Sequence, residues 1–458
     1  MGLNIVILAA GEGKRMRSER PKVLHTVGGR PLLEHVVDTA RSLSPEQIVV
    51  VVGHHGDHVR EALGDHADLR FVIQGERLGT AHALSQARQT LVPENDILVL
   101  YGDVPLIREQ TLARVHALGE DCSIALLSFR PADPFGYGRI VRGAAGEVQQ
   151  IIEQKDLDGQ HHGIGECNTG IMQVPGAVLW DLLERVGNEN AQGEYYLTDI
   201  VGLAVDRGLK VAALLIDDPD EVLGVNDQHQ LAAVEREYRR RAAASLLDAG
   251  VKLYDPDRID LRGQIEVGRD VEIDVNVVLI GSVRLGDGVR IGAHCVIRDC
   301  TLEAGATVHP HSVLEQATLG PGCEVGPFAR LRPGARLEAR AKVGNFVEVK
   351  QSTIGPGSKV NHLSYVGDTE IGKGVNIGAG TITCNYDGAR KHPTVIEDGV
   401  FIGSDTQLVA PVRVGARSTI GAGSTITRDV PADKLTLSRA PQKTIEGWSR
   451  PVKPKKDR

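Results

Sequence analysis

The chain has 458 residues, a formal net charge of −8 and a charged fraction of 24%, which leaves room for two or three domains of a water-soluble globular protein. No basic excess points to nucleic acid, no apolar run approaches the roughly 20 residues of a membrane span, and the N-terminus opens directly into a strand without a signal-peptide pattern. The six cysteines form no C-x-x-C pair and read as reduced thiols of a cytoplasmic protein rather than a disulfide framework or a zinc site.

In chain order, Asn4–Ala9 is a buried strand by composition, followed by the loop Gly11-Glu12-Gly13-Lys14-Arg15-Met16. Further strands are expected at Ile48–Val52, Phe71–Ile73, Ile97–Tyr101 and Ser123–Leu127, with helices at Pro31–Ser42 and Gly79–Leu91 between them. This alternation predicts a mostly parallel sheet with helices on both faces. Such sheets bind ligands beyond the carboxyl ends of their strands, where two polar clusters fall: the loop after Ala9, and Gly102-Asp103. The loop is not a Walker P-loop, and Met16 stands where the third glycine of a dinucleotide fingerprint belongs. Its glycines permit close approach to phosphate oxygens, and Arg15 and Lys22 supply countercharge. A turn with two solvated cations is the plain alternative. Asp103, at a strand end beside this loop, suits a hard-cation ligand.

Polar clusters follow at Gly136–Ile140, Ile151–Asp156, Glu166–Gly170, Asn190–Tyr196 and Gly224–Asn226, each compatible with ordinary turn chemistry. From Asp227 to about Ala249 the apolar spacing becomes helical, and Arg239-Arg240-Arg241 reads as a solvated or acid-paired face. From Val267 to Ile426 apolar residues recur every six positions, as in Val267, Ile273, Leu279, Leu285, Ile291 and Ile297. Six residues of α-helix advance about 600°, which scatters the side chains around the axis; an even step keeps them on one face of extended structure. Short strands stacked rung on rung satisfy the pattern, the hexapeptide signature of a β-helix. One-residue slips occur near Leu302, Leu319, Ile354 and Ile371. Thr383–Thr394 is a longer excursion, the kind of insertion that carries binding residues on solenoids. The basic tail Lys453–Arg458 reads as a solvated terminus.

The stretch Leu8-Ala9-Ala10-Gly11-x-Gly13-x-Arg15-Met16 with Pro21-Lys22, and Tyr101-Gly102-Asp103, resemble the sugar-1-phosphate nucleotidylyltransferases. Together with Arg330–Gly334, Gly344–Lys350, His362–Gly367 and Asn376–Gly388, the whole chain resembles the bifunctional bacterial family that makes UDP-N-acetylglucosamine. The resemblance implies a Rossmann-like α/β nucleotidyltransferase domain (1–226), a helical linker (227–250) and a left-handed parallel β-helix acetyltransferase domain (251–458). It implies UTP and acetyl-CoA as co-substrates and Mg²⁺ held by Asp103 and Asn226. By the same resemblance Arg15 and Lys22 stabilise the reacting phosphates. Leu8, Ala9, Ala10, Gly11, Gln74, Gly79, Thr80, Tyr101 and Gly102 frame the nucleotide, and Gly138, Glu153 and Asn168 hold the sugar.

For the β-helix the resemblance implies His362 as general base with Glu348 orienting or charge-stabilising it. Arg332, Lys350, Tyr365 and Asn376 bind glucosamine-1-phosphate. Asn385 and Tyr386 meet sugar and acetyl donor, and Ala379, Ser404, Ala422 and Arg439 contact coenzyme A. Members of this family are homotrimers, without nucleic-acid partners or membrane insertion. Three alternatives compete: a single-activity nucleotidylyltransferase with an assembly-only β-helix, a zinc hydratase using His294, His309, His311, His362 or His392, and a non-catalytic binding protein.

Overall fold

Short aliphatic runs rich in β-branched residues build the N-terminal half. Leu3–Ala9 (β1), Gln47–Val52 (β2), Leu69–Ile73 (β3), Asp96–Tyr101 (β4), Ile124–Phe129 (β5), Arg139–Arg142 (β6), Val148–Ile152 (β7), Cys167–Pro175 (β8) and Val211–Leu215 (β9) form one nine-stranded sheet. The structure is a computed structural model that describes residues 2–54, 56–64 and 66–452; the basic tail Lys453–Arg458 lies outside the described residues. The sheet order is β9-β5-β8-β4-β1-β2-β3, with β6 bonded to β8 and β7. β1 is parallel to β2 and β4, β2 to β3, and β5 to β9, while β8 runs antiparallel between β4 and β5. Both faces are covered. Ile5 and Ile7 of β1 pack into one cluster and Val6 and Leu8 into another, as alternation along a strand requires.

The helix Leu32–Ser42 buries Leu32, Leu33, Val36, Val37 and Ala40 on one stripe. The helix expected over Gly79–Leu91 is shorter, Thr80–Ser85. Beyond it the amides of Gln86, Ala87, Arg88 and Thr90 bond three residues back, the tighter pitch of 3₁₀-type turns. The long helix is Gln228–Asp248. It stops where Gly250 takes φ 86° and the amides of Gly250 and Val251 fold back onto Leu247 and Leu246, a glycine-dependent cap. Two of its three consecutive arginines are acid-paired, Arg240 and Arg241 bonding Glu237 at 2.7 and 2.6 Å. The chain divides into two compact units between Ala242 and Ala243. No helix among the described residues is long and apolar enough to cross a membrane.

The second unit converts the six-residue period into coils. Ile273 pairs in parallel with Ile291, Ile291 with Val308, Val308 with Val325, Val325 with Val343, Val343 with Val360, and Val360 with Ile377. One coil is therefore three hexads, 18 residues (291 − 273) or 17 (308 − 291). The slips at Leu302, Leu319, Ile354 and Ile371 are what shorten a coil by one residue. The column from Ile273 through Ile402 and Ile420 is at most 3% exposed at every rung, so each coil continues its neighbour's core. One corner is turned by left-handed residues on successive coils: Phe346 (φ 55°), Leu363 (φ 50°), Gly380 (φ 77°), Asp405 (φ 56°) and Gly423 (φ 70°). Between Ile377 and Ile402 the step is 25 residues (402 − 377), because the Thr383–Thr394 excursion leaves the core and returns to it. Its ends, Thr383 and Thr394, are buried.

Candidate active sites

The carboxyl ends of β1 and β4 open into a cavity of about 360 Å³. Leu8, Ala9, Ala10 and Gly11 form one wall, Gln74, Gly79 and Thr80 another, and Tyr101, Asp103, Lys22 and Asn226 the floor where the strands end. Asp103 and Asn226 are distant in sequence. They meet because the Val225 amide donates to the Asp103 carbonyl at 2.9 Å. Lys22 Nζ then donates to Asp103 Oδ2 at 2.5 Å and to Asn226 Oδ1 at 3.2 Å. The ammonium thus lies between a carboxylate oxygen and an amide oxygen, the oxygen donors that hard divalent cations take.

The opposite wall depends on a clamp. Tyr195 N–H donates to Leu78 O at 2.7 Å and Ala81 N–H to Tyr195 O at 3.0 Å. Leu197 N–H donates to Thr80 Oγ1 at 2.9 Å. Gly79 sits inside it at φ 112°, where a Cβ would lie 2.4 Å from Tyr195 O; only glycine fits. The Asn190–Tyr196 cluster is thus structural, and it also carries Glu194 into the cavity. Val23, Arg77 and Ala83 line it too, and no sequence motif singled them out. Arg77 bonds Glu12 at 2.6 Å and, with Lys14, holds that carboxyl down at about 2.

Arg15 departs from expectation. It lies with Lys14, Arg17, Asp227, Gln228 and His229 around a separate cavity of about 660 Å³, apart from Lys22. The left-handed backbone at Gly13 and Arg17 turns the loop so that Met16 enters the core with Val27, Leu32 and Val225, which directs its neighbour elsewhere. Gly102 supports the floor from behind, its amide donating to Leu8 O at 3.0 Å.

Gly138, Glu153 and Asn168 gather in a second cluster. Asn168 N–H donates to Gly138 O at 2.9 Å, and a Cβ on Gly138 would lie 3.4 Å from the Glu153 carboxylate. Thr198 Oγ1 donates to Glu153 Oε1 at 2.9 Å. Burial pushes the Glu153 carboxyl up, and burial with the nearby Glu153 charge pushes Asp199 from 3.8 to about 6. A raised carboxyl keeps its proton in the folded state after the unfolded chain has lost it. The resulting stabilisation is present below the unfolded value of 3.8 and is lost as pH rises through about 6. Asp199→Asn should therefore raise the thermal midpoint more at about pH 7.5 than at about pH 4.5; calorimetry at the two pH values checks this, and an equal effect at both refutes it.

On the β-helix, Asn345, His362, Ala379, Ser404 and Ala422 occupy equivalent corner positions. The coil-to-coil bonds run Leu363 N–H to Asn345 O (3.1 Å), Gly380 N–H to His362 O (3.3 Å), Asp405 N–H to Ala379 O (2.7 Å) and Gly423 N–H to Ser404 O (2.8 Å). The expected coenzyme A residues Ala379, Ser404 and Ala422 thus continue the column of Asn345 and His362, and Arg439 Nη1 closes it on Ala422 O at 2.8 Å. On the adjoining face Glu348 pairs with Tyr365 and Lys350 with Gly367. Asn385 Nδ2 donates to Asp368 Oδ2 at 2.5 Å, bringing the excursion to this face. Tyr386 is exposed, its hydroxyl donating to Gly388 O at 2.6 Å. Asn376 sits beside the column on the strand Asn376–Ile377. Lys391, which no motif indicated, lies against Lys350 and lowers its pKa, and the nearby Arg332 charge acts in the same direction.

One expected contact is absent. Glu348 does not orient His362; its carboxylate bonds Arg332 Nη1 at 2.8 Å, because the guanidinium satisfies it with a charge-assisted bond. His362 Nδ1 instead meets Asn345 Oδ1 at 2.7 Å. Among the described residues the other candidate histidines form no group that could hold a metal ion. His294 stacks on His311 at 4.8 Å and His311 on Phe328 at 4.9 Å, while His392 bonds Asp387 and His309 lies near Glu324.

Residues 5–163 match the MobA-like NTP transferase domain family, and residues 265–299 and 393–428 match the bacterial transferase hexapeptide (six repeats) family, the repeat of a left-handed β-helix. The chain is 56% identical over 456 residues to the bifunctional protein GlmU of Ralstonia nicotianae and likewise to that of Ralstonia pickettii, covering 99% of this chain and 100% of each relative. It is 55% identical to the bifunctional protein GlmU of Bordetella parapertussis, covering 98% and 99%. With both cavity and corner column in place along a full-length match, the chain belongs to the bifunctional GlmU family, a uridylyltransferase and an acetyltransferase in one polypeptide.

Proposed function

We propose that the β-helix acetylates glucosamine-1-phosphate with acetyl-CoA, and that the N-terminal unit then transfers UMP from UTP to the resulting GlcNAc-1-phosphate, releasing pyrophosphate. The observation that carries the second step is the convergence of Lys22 with Asp103 and Asn226 at 2.5 and 3.2 Å on the cavity floor. Asp103 and Asn226 would hold Mg²⁺, which supplies charge neutralisation across the phosphate oxygens. Lys22, released from both oxygens, then reaches the phosphates. Gln74, Gly79 and Thr80 face the uracil. Glu153, Asn168 and Gly138 hold the sugar, and no protein nucleophile is needed, since positioning and charge carry the reaction. Arg15, expected to serve the phosphates, lines the separate cavity instead.

For acetyl transfer, His362 removes the amine proton, Arg332, Lys350 and Lys391 take the sugar phosphate, and Tyr365, Asn376 and Asn385 hold the sugar. Ala379, Ser404, Ala422 and Arg439 seat coenzyme A, with Tyr386 beside the acetyl donor. The experiment is one assay with glucosamine-1-phosphate, acetyl-CoA, UTP and Mg²⁺, following free thiol and pyrophosphate separately. A chelator is expected to stop pyrophosphate release and spare thiol release; absence of thiol release from the untreated protein overturns the reading.

The working form is a cytoplasmic homotrimer. Phe346 and Leu363, at the corner of His362, and Tyr386 of the excursion are 56%, 61% and 61% exposed, apolar surface that a neighbouring copy would cover while excluding water from the reaction. A variant held monomeric should lose acetyl transfer and keep uridylyl transfer. A monomer by sedimentation with full acetyl-transfer activity would refute this.

A further inference from the structure

His362 as the general base leaves a requirement unmet by the residues assigned so far. An imidazole accepts a proton at Nε2 only if Nδ1 carries the hydrogen, and the partner of Nδ1 decides this. Glu348 is engaged by Arg332 at 2.8 Å, and the ion pairs among the described residues include none to His362. The partner is an amide: Asn345 Oδ1, 2.7 Å from Nδ1. Asn345 lies in register with His362 on the preceding coil, and its carbonyl is tied to Leu363 N–H at 3.1 Å. The same ladder that stacks the coils therefore sets the distance.

We propose that Asn345 is the positioning residue of acetyl transfer, selecting the His362 tautomer with hydrogen on Nδ1 and a lone pair on Nε2. This rests on the assignment of His362 as base. Asn345 Oδ1 accepts from Nδ1–H; the substrate ammonium first gives one proton to solvent, and Nε2 takes a second from the neutral amine as its nitrogen attacks the thioester carbon. The C–N bond forms, the C–S bond breaks, and that proton passes from Nε2 to the departing sulfur. Turning the amide over would present an N–H to Nδ1, force the hydrogen onto Nε2 and block the base. An amide also adds no charge beside the ring. His392, in contrast, faces a carboxylate, Asp387 Oδ2, at 2.7 Å.

The test uses the full chain with Asn345→Leu and Asn345→Asp. Asn345→Leu should lower the kcat of acetyl transfer about a hundredfold, with KM for both substrates changed less than about twofold. Nitrogen NMR of the His362 ring should show the Nδ1–H form in the parent protein and its loss in Asn345→Leu. Asn345→Asp keeps an acceptor but adds charge, so it should restore kcat at high pH and shift the acid limb of the profile up by about one pH unit. Unchanged kcat in Asn345→Leu, or an unmoved acid limb in Asn345→Asp, overturns the proposal. His362→Ala separates the two assignments. If it leaves thiol release intact, the base assignment fails; if it abolishes release while Asn345→Leu does not, the positioning role alone fails.

Discussion

His362→Ala should lower thiol release from acetyl-CoA by about 10²–10⁴-fold, the range for removing a general base, and leave pyrophosphate release from UTP and GlcNAc-1-phosphate unchanged. The amine substrate is an ammonium near neutrality and cannot attack a thioester until it loses a proton. His362 is the imidazole in the corner column, one coil from Ala379, with its ring held at Nδ1 and exposed at the corner. Removing the ring leaves the hexad core untouched, because Val360 carries the buried position of that coil. The loss should therefore appear in kcat with little change in stability. Measuring thiol and pyrophosphate on one preparation, with GlcNAc-1-phosphate added to bypass the first step, makes the test decisive. Thiol release at the parental rate would remove His362 from the mechanism.

Asp103→Ala should show the complementary pattern, with uridylyl transfer reduced on the order of a thousandfold and acetyl transfer intact. Neutralising charge on reacting phosphates is worth several kcal/mol, and each 1.36 kcal/mol is about tenfold in rate. Asp103 is the carboxylate of the floor, and Lys22 and Asn226 converge on it. Its loss removes the anionic ligand and leaves Lys22 with only the amide oxygen. Mn²⁺ binding, followed by paramagnetic resonance, is expected in the parent protein and should be lost in the variant. Parental uridylyl transfer in Asp103→Ala would show that the metal seat lies elsewhere.

The two mutations read parts of the chain that were unequally legible. The β-helix was visible as a period: Ile273, Ile291 and Val308 are buried at equivalent rungs, and even the irregularities at Leu302 and Leu319 proved to be 17-residue coils. The cavity was visible as motif spacing, since Leu8–Gly11 and Asp103 lie at ends of adjacent parallel strands. β8 was not anticipated as a strand, because its start reads as a polar turn, Asn168-Thr169-Gly170. The sheet accommodates that turn as an irregularity in pairing between Asn168 and Met172.

Periodicity and strand-end placement follow from local geometry repeated along the chain, so residues in order were enough to establish coil and sheet. Side-chain partnership obeys a different constraint. Asn226 joins Asp103 through one backbone bond, Lys391 returns to Lys350 by way of the excursion, and the Gly13–Arg17 turn sends Arg15 to its own cavity. Glu348 had both a guanidinium and an imidazole as candidate partners, and Arg332 took it, leaving the imidazole to Asn345. Such choices are settled by register between coils and by competition between charges for one acceptor, and both exist only once the chain has folded.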